Sequence, residues 1–576
     1  MNRTFHRTSP GRAIGPRWFF GCRLLGWLGL LGAFSGSFAA AQTLQRSRIT
    51  QPIDERVRVT LKGNVHPLAQ ARYDQGAVPD SIPVQRMLLL FQRSPERVAA
   101  LRQFLRDAHT QGSPSYHKWL TPKQFGELYG ARDSEIAAVA VWLQRHGFSV
   151  AGARKGKMVI EFSGSAGQLR EAFGTEIHTY VVNGQAHSAN NRDPQIPAAL
   201  APVIAGITPL HDFRPTPQVK VLGKALYDRK THVVHPEWTI GNSPPLLALA
   251  PADFAVQYDL NPLYAAGIDG TGVNIGLIGA SNVYPDVVAN YRSFFGLPVG
   301  TLNIIVDGLD PGPSASVNHG NWAEVESFLD VEVSGAVAPG ATVNLYTAAD
   351  TTVQSGLLLA AQRAVDDDVA SVLSTSYGQC EQALGSSGNQ FWAALWEQAA
   401  AQGQTSLVSS GDSGSAGCDD FNAPEPAQLG LAVNGFSSTP WNISVGGTDF
   451  FYTSYNSTAG AQSAELASYW NIAMPSPTTP AASLLKTVHE QPWNQAFGMD
   501  LYDGSVYNPN QPTIVAGSGG ASIYYPKPTC KAVRECPPMA RGTFPTWPSS
   551  LRTAKTIASI LSACPRKTAP GRKSPR

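Results

Sequence analysis

The sequence predicts two units of different class: an α/β doubly wound parallel sheet in the second half, preceded by an α+β, ferredoxin-like unit. Three observations lead there. From Ala252 strands alternate with helical stretches, beginning with the largely apolar run Val273–Ile278, as in a parallel sheet covered on both faces. TVNLYTA (Thr342–Ala348), a helix over Thr352–Asp366 and ASVLSTSYG (Ala370–Gly378) repeat that rhythm, and a helix over Asn389–Gln402 leads into TSLVSSGDSG (Thr405–Gly414). Residues 50–210 instead order a strand, helices and two hairpins, which suits a sheet with helices on one face.

Taken in order, Val84–Gln92 (VQRMLLLFQ) reads as a buried strand, and Ser94-Pro95-Glu96 starts a helix with a Ser cap and Pro in its first turn. A second helix opens at Asp133 and ends before Gly147. FSVAGA and KMVIEFSG form a hairpin across Arg154–Gly156, a helix spans Ala166–Phe173, and Asn183-Gly184 turns a second hairpin. Residues 212–250, with repeated Pro, Lys and His and weak patterning, read as a connecting segment.

At the N-terminus, five arginines up to Arg23 precede the apolar run Leu24–Phe38, and Ala39-Ala40-Ala41 fits a cleavage site. Residues 1–41 are thus expected to be a secretory signal peptide, too short and Gly-rich in its apolar part to anchor the chain in a membrane. The net charge of +2 makes no electrostatic case for nucleic acid. Positive charge gathers at the end: from Cys530 onward Glu535 is the only acid. Cys22 leaves with the signal, and an oxidising compartment makes a Cys380–Cys418 disulfide the expectation. Cys530, Cys536 and Cys564 have neither a partnered His nor C-x-x-C spacing and give no zinc site.

The chemistry gathers in Asn321–Gly340 (NWAEVESFLDVEVSGAVAPG). Val325, Phe328 and Leu329 have helical spacing, so Glu326 and Asp330 share one face, a turn apart. Like charges there repel by a few tenths of a kcal/mol, and the stretch holds no Lys or Arg to offset them. Burial or a like-charged neighbour turns such a carboxylate into a useful base, because either one raises its pKa.

SPSYHKWLTPKQFGELYG (Ser113–Gly130) and FSGSAGQLREAFGTEIHTY (Phe162–Tyr180) resemble the activation prodomain of the sedolisin (kumamolisin-like) serine-carboxyl peptidases. ESFLDVEVSGAVAPGA (Glu326–Ala341), SSGDSG (Ser409–Gly414) and ISVGGT (Ile443–Thr448) resemble their catalytic domain in order and spacing. The resemblance implies a prodomain over 50–211, processing within 212–250, and a subtilisin-like peptidase domain over 251–529. It implies that Glu326 is the general base, that Asp330 tunes it through a shared proton, and that Asp412 sits at the oxyanion hole. An Asp can donate there only when protonated, which points to work at acidic pH. Protein or peptide substrates, a prodomain acting as intramolecular inhibitor, a monomer and bound calcium are further implications. A subtilisin-type Asp-His-Ser triad would need more than His319, which has no matching Ser and reads as a loop histidine.

The resemblance stops after Pro528. Family members continue with Trp-Gln, then G-V-P-x-D-G-x-R-D-V-P-D-V, and later a GTS-type segment with the nucleophile; this chain has CKAVRECPPMARGTFPTWPSS. Ser522 lies in a Gly/Ser-rich motif that precedes the nucleophile in the family and is not the candidate. Read one base out of register, codons for Pro545–Ser549 can encode Asp-Val-Ala-Leu, and the same frame carried back to Arg534 permits the Gly-Val-Pro run. Loss of one G near codon 530 turns Trp-Gln into Cys. Residues 530–576 are therefore expected to be an aberrant, disordered tail. The chain is expected to lack the nucleophile, the last strands and the family's C-terminal calcium site. It reads as an exported acid endopeptidase proenzyme that is inactive in this copy, the alternative being a prodomain-based inhibitor or binding protein.

Overall fold

The computed structural model describes residues 47–217, 225–228, 233–236, 249–313, 322–420, 427–454, 458–471, 483–494, 514–527 and 543–544. The signal segment, most of the connecting segment, His319 and all but two residues of the expected tail lie outside the described residues.

The first sheet grows from β1 (Pro83–Phe91), whose apolar run is unbroken because both of its faces are covered. Met87, Leu89 and Phe91 join Val139, Trp142, Phe162 and Phe173 in one core. Leu88 and Leu90 point the other way, into a core shared with Leu358, Ala361, Trp392 and Leu395. After β1 come α1 (Pro95–His109) and α2 (Asp133–Arg145), which start where the caps predict; Ser94 accepts from Arg97 N at 3.4 Å. Then follow β2 (Ser149–Ala153), β3 (Val159–Ser165) and α3 (Ala166–Phe173). A hairpin of β4 (Ile177–Val182) and β5 (Gln185–Asn190) turns on Asn183 (φ 50°) and Gly184 (φ 78°), the left-handed pair a two-residue hairpin requires. β6 (Ile204–Ile207) closes the first sheet, giving the antiparallel order β2-β3-β1-β6.

The second sheet has six strands, all parallel. In chain order they are β7 (Asn274–Ile278), β8 (Thr301–Val306), β9 (Thr342–Thr347), β10 (Val372–Thr375), β11 (Thr405–Ser409) and β12 (Ile443–Val445). Their spatial order is β8-β9-β7-β10-β11-β12. The chain crosses from β7 to the outer β8, returns to β9 between them, then steps outward on the other side through β10, β11 and β12, leaving a crevice at the carboxyl ends beside β7. Three crossover helices matter here: α4 (Trp322–Val337), α5 (Gly356–Asp367) and α6 (Glu381–Ala401).

Two predicted helix starts need correction. The helix expected from Thr352 begins at Gly356, whose N–H donates to Asp350 Oδ1 at 2.7 Å. The helix expected from Asn389 begins eight residues earlier at Glu381, because Gly385 (φ 65°) lets two helical segments join across a kink that Ser386, Ser387 and Gly388 disguise in the sequence.

The two units share a continuous interface. Beyond the common core, Arg93 pairs with Glu397 on α6, with both side chains nearly buried. Arg86 meets Asp307 at 2.8 Å and Arg154 meets it at 3.1 Å. Among the described residues no helix is long and apolar enough to cross a membrane.

Candidate active site

The carboxyl ends of the second sheet gather all three predicted site residues. Glu326 lies on the buried face of α4 with 1% of its surface exposed. The helix is fixed there by Tyr377, which follows β10. Its hydroxyl donates to Ala323 O and accepts from Ala280 N, each at 3.3 Å, tying the first turn of α4 to the end of β7. Asp330, one turn on, accepts a 2.7 Å hydrogen bond from the Ser376 hydroxyl. Sequence reasoning missed Ser376 and Tyr377; their position at a strand end, in STSYG, was the available signal.

Asp412 arrives from the loop after β11. That loop is stitched to residues 514–518: Ala516 N donates to Asp412 O at 3.0 Å, Ser413 N to Ser518 Oγ at 3.1 Å and Ser518 N to Gly411 O at 2.8 Å. Gly411 takes φ 114°, which disfavours any side chain at that turn. A Cys380–Cys418 disulfide, as the sequence suggests, joins the start of α6 to the far side of the same loop.

The electrostatics follow from burial. Desolvation raises the pKa of Glu326 far above the carboxylate range, and the charges of Asp330 and then Asp412 push it further. Burial also raises Asp330, against the opposing pull of the Ser376 hydroxyl. Glu326 Oε2 is buried without a hydrogen-bond partner, an arrangement that favours the protonated acid. Asp412 is pushed up to about 6 by burial. Three acids from two elements thus hold protons into a range where free carboxylates have lost them.

Asp412 gives a stability prediction with a definite sign. Its folded pKa lies above its unfolded value, so the folded state binds more protons between pH 4 and 6 and loses stability as pH rises through that window. Asp412→Asn removes the ionisation and should stabilise the chain at pH 7 by at most about 3 kcal/mol, with no gain at pH 3.5. Urea unfolding at both pH values measures it; an equal effect at both would contradict the burial account.

Two other sequence readings can be placed. Ser522 is 2% exposed, donates to Glu381 Oε1, and accepts from Tyr524 N and Tyr525 N, which fastens it away from the acids named above. For the calcium implied by resemblance, no three or more His, Cys, Asp or Glu side chains among the described residues are placed to hold a metal ion together, and no step is assigned to it.

An extended strap leaves the first unit and runs into this site. Thr216–Pro217 pairs antiparallel with Tyr377–Gly378, directly after Ser376. Gln379 Nε2 donates to Phe213 O at 2.7 Å, and Arg214 reaches Asp350 at 3.3 Å.

The chain is similar to several known proteins. A family model described as the pro-kumamolisin activation domain matches residues 70–213. Xanthomonalisin of Xanthomonas sp. (strain T-22) is 28% identical over 397 residues, which is 64% of this chain and 45% of the relative. Sedolisin of Pseudomonas sp. (strain 101) is 27% identical over 437 residues, 74% of this chain and 67% of the relative. Kumamolisin of Bacillus sp. (strain MN-32) is 26% identical over 408 residues, 69% and 67% of the two. The chain therefore spans about half of xanthomonalisin and two thirds of the other two. Among solved structures, Pseudomonas sedolisin complexed with two molecules of pseudo-iodotyrostatin matches 52% of this chain and 70% of its own, at 26% identity and a TM-score of 0.37. The chain is thus similar to the sedolisin-type serine-carboxyl peptidases, and its residues 70–213 match the pro-kumamolisin activation domain.

Proposed function

We propose that this chain is an exported, acid-active endopeptidase of the sedolisin type, made as a proenzyme, and that the present copy has lost its nucleophile. One observation carries the catalytic part: Glu326, Asp330 and Asp412, each raised by burial, converge beside a strand edge that already holds an extended segment. In this reading Glu326 accepts the proton of a serine hydroxyl, and Asp330, steadied by Ser376, shares that proton. Protonated Asp412 donates to the oxyanion of the tetrahedral intermediate, which its raised pKa favours in acid. Protein or peptide substrates would lie along Tyr377–Gly378 as Thr216–Pro217 does, by main-chain pairing. The first unit acts as the intramolecular inhibitor, residues 212–250 are its processing segment, and residues 1–41 direct export.

The finer fold follows. With β7 counted first, the strand order 2-3-1-4-5-6 supports a subtilisin-like peptidase domain over 251–529, and the order β2-β3-β1-β6 supports a ferredoxin-like prodomain over 50–211. Residues 530–576 are read as an out-of-frame tail. The fastening of Ser522 to Glu381 supports seeking the nucleophile in the lost frame.

Incubation of the purified chain with a denatured protein at acid pH tests the reading. No cleavage above that of a Glu326→Gln chain is expected, whereas cleavage abolished by that substitution would show an unrecognised nucleophile. A second reading, a prodomain-based inhibitor, is favoured by the strap and the shared core. It predicts that the whole chain inhibits an active peptidase of this family.

A further inference from the structure

Phe213, on the strap, lies among three histidines drawn from three segments of the first unit. His66 stacks on it at 4.0 Å between ring centroids and 7° between planes, and His187 of β5 stacks on it at 4.1 Å and 17°. His211, on the strap itself, meets His66 edge-on at 4.7 Å. We propose that this box of His66, His187, His211 and Phe213 is an acid-released clasp: while His66 and His211 are neutral it holds the strap along Tyr377–Gly378, and on their protonation it lets go. The proposal extends the reading of the strap as the cover of the site.

The geometry demands neutral rings at His66 and His211. His66 Nδ1 accepts from Leu68 N at 3.2 Å, so a proton on that nitrogen breaks the bond. His211 is 4% exposed, and both of its ring nitrogens are buried without a hydrogen-bond partner. Buried imidazoles without acceptors resist protonation because the cation has lost its water. Burial accordingly lowers His66 well below the ordinary value, helped by His211 and His187. It lowers His211 to about 4, with Arg214 adding to the effect; a contact with the Ala383 main chain and the Asp212 carboxylate pull the other way and are outweighed.

The charges facing the box do not rescue a cation. His187 Nδ1 meets Asp212 Oδ1 at 3.1 Å, and Arg214, with its side chain 3% exposed, is paired with Asp350. Protonation of His66 and His211 would set two imidazoliums beside Arg214, while Asp212 and Asp350 are already engaged by His187 and Arg214. The face of Phe213 returns only part of that cost as cation–π attraction. The segment that carries His66 also holds the second unit. Gly63 O accepts from Ser386 N at 2.7 Å and Asn64 Oδ1 from Ser387 N at 2.9 Å, both at the kink of α6. Gln379 holds the Phe213 carbonyl two residues from the strap's pairing partner Tyr377.

The sign is fixed by linkage. His211 has a folded pKa below the ordinary 6.5, so the open state binds more protons and the clasp weakens as pH falls from about 6.5 to about 4. His211 alone shifts the opening equilibrium by about 100-fold between pH 7 and pH 4.

Hydrogen exchange on the full chain tests this without requiring peptidase activity. After correction for intrinsic exchange rates, protection of residues 211–217 should fall about 100-fold between pH 7 and pH 4, with β6, β7 and β9 unaffected. His66→Phe/His211→Phe should keep the strap protected down to pH 4. Protection retained by the wild-type strap at pH 4, or lost equally in the double variant, would overturn the clasp. If the variant fails to fold, NMR of labelled histidines in the wild-type chain decides: titration coincident with strap opening supports the clasp, and titration with the strap still protected overturns it. Either failure would leave the reading of Glu326, Asp330 and Asp412 untouched.

Discussion

Restoring one base at codon 530 is expected to turn an inert chain into an acid peptidase. On the proposed reading, the restored frame would supply the GTS-type serine that Glu326, Asp330 and Asp412 would serve. In that chain Glu326→Gln should lower kcat by roughly 10³–10⁵-fold, the range seen when a member of a nucleophile–base set is removed while binding and oxyanion contacts remain. The same substitution in the present chain should change nothing measurable in proteolysis. Casein digestion at pH 4 by the four chains, present and restored, each with and without the substitution, gives the comparison. The restored chain should also gain stability, since β12 is the last strand of the described sheet and Val445 on it is 46% exposed.

Removing the Cys380–Cys418 disulfide should cost about 4 kcal/mol in the chain-entropy account for a 38-residue separation. The bridge follows Ser376 by four residues at one end and Asp412 by six at the other, so it closes the loop that brings Asp412 to the dyad. Cys380→Ser/Cys418→Ser should lower the urea midpoint at pH 5 and, because the unfolded chain without the cross-link is less compact, steepen the transition slightly. Reductant should reproduce the effect in the wild-type chain and have none in the variant. An unchanged midpoint would mean that the stitching of Asp412 and Ser413 to residues 514–518 suffices alone.

The two kinds of buried titratable group have opposite pH signs. Asp412 and the Glu326–Asp330 pair take up protons on folding and are more stable in acid, whereas His66 and His211 release protons on closing and are less stable there. Acidification would therefore settle the site into its protonated form while loosening the strap that covers it. A neutral compartment would hold the reverse state.

Much of this was legible because local rules and tertiary packing agree. Ser94-Pro95, Asp133 and Asn183-Gly184 act through local hydrogen bonds and backbone preference, and the elements they mark start or turn where expected. The apolar run of β1 announced two-sided burial, although not that Leu88 and Leu90 would pack on another unit. Glu326 and Asp330 were legible as a pair through spacing alone. Their meeting with Asp412 followed only from the family resemblance, because it depends on helix α4 and the loop after β11, 82 residues beyond Asp330, converging at one edge. Ser376 and Tyr377 escaped for the same reason: each acts through a partner on α4 that only the crossover brings near. The histidine box was invisible, since three segments contribute one ring each. The kink at Gly385 hid the start of α6, because a glycine with positive φ normally ends a helix.

The most direct test of the central claim is the nucleotide sequence of the locus from codon 520 through several hundred bases downstream. The account predicts that a single inserted base near codon 530 recovers an open frame encoding Trp-Gln, the Gly-Val-Pro…Asp-Val run and a GTS-type serine. An unbroken reading frame with no such segment in any register would contradict it.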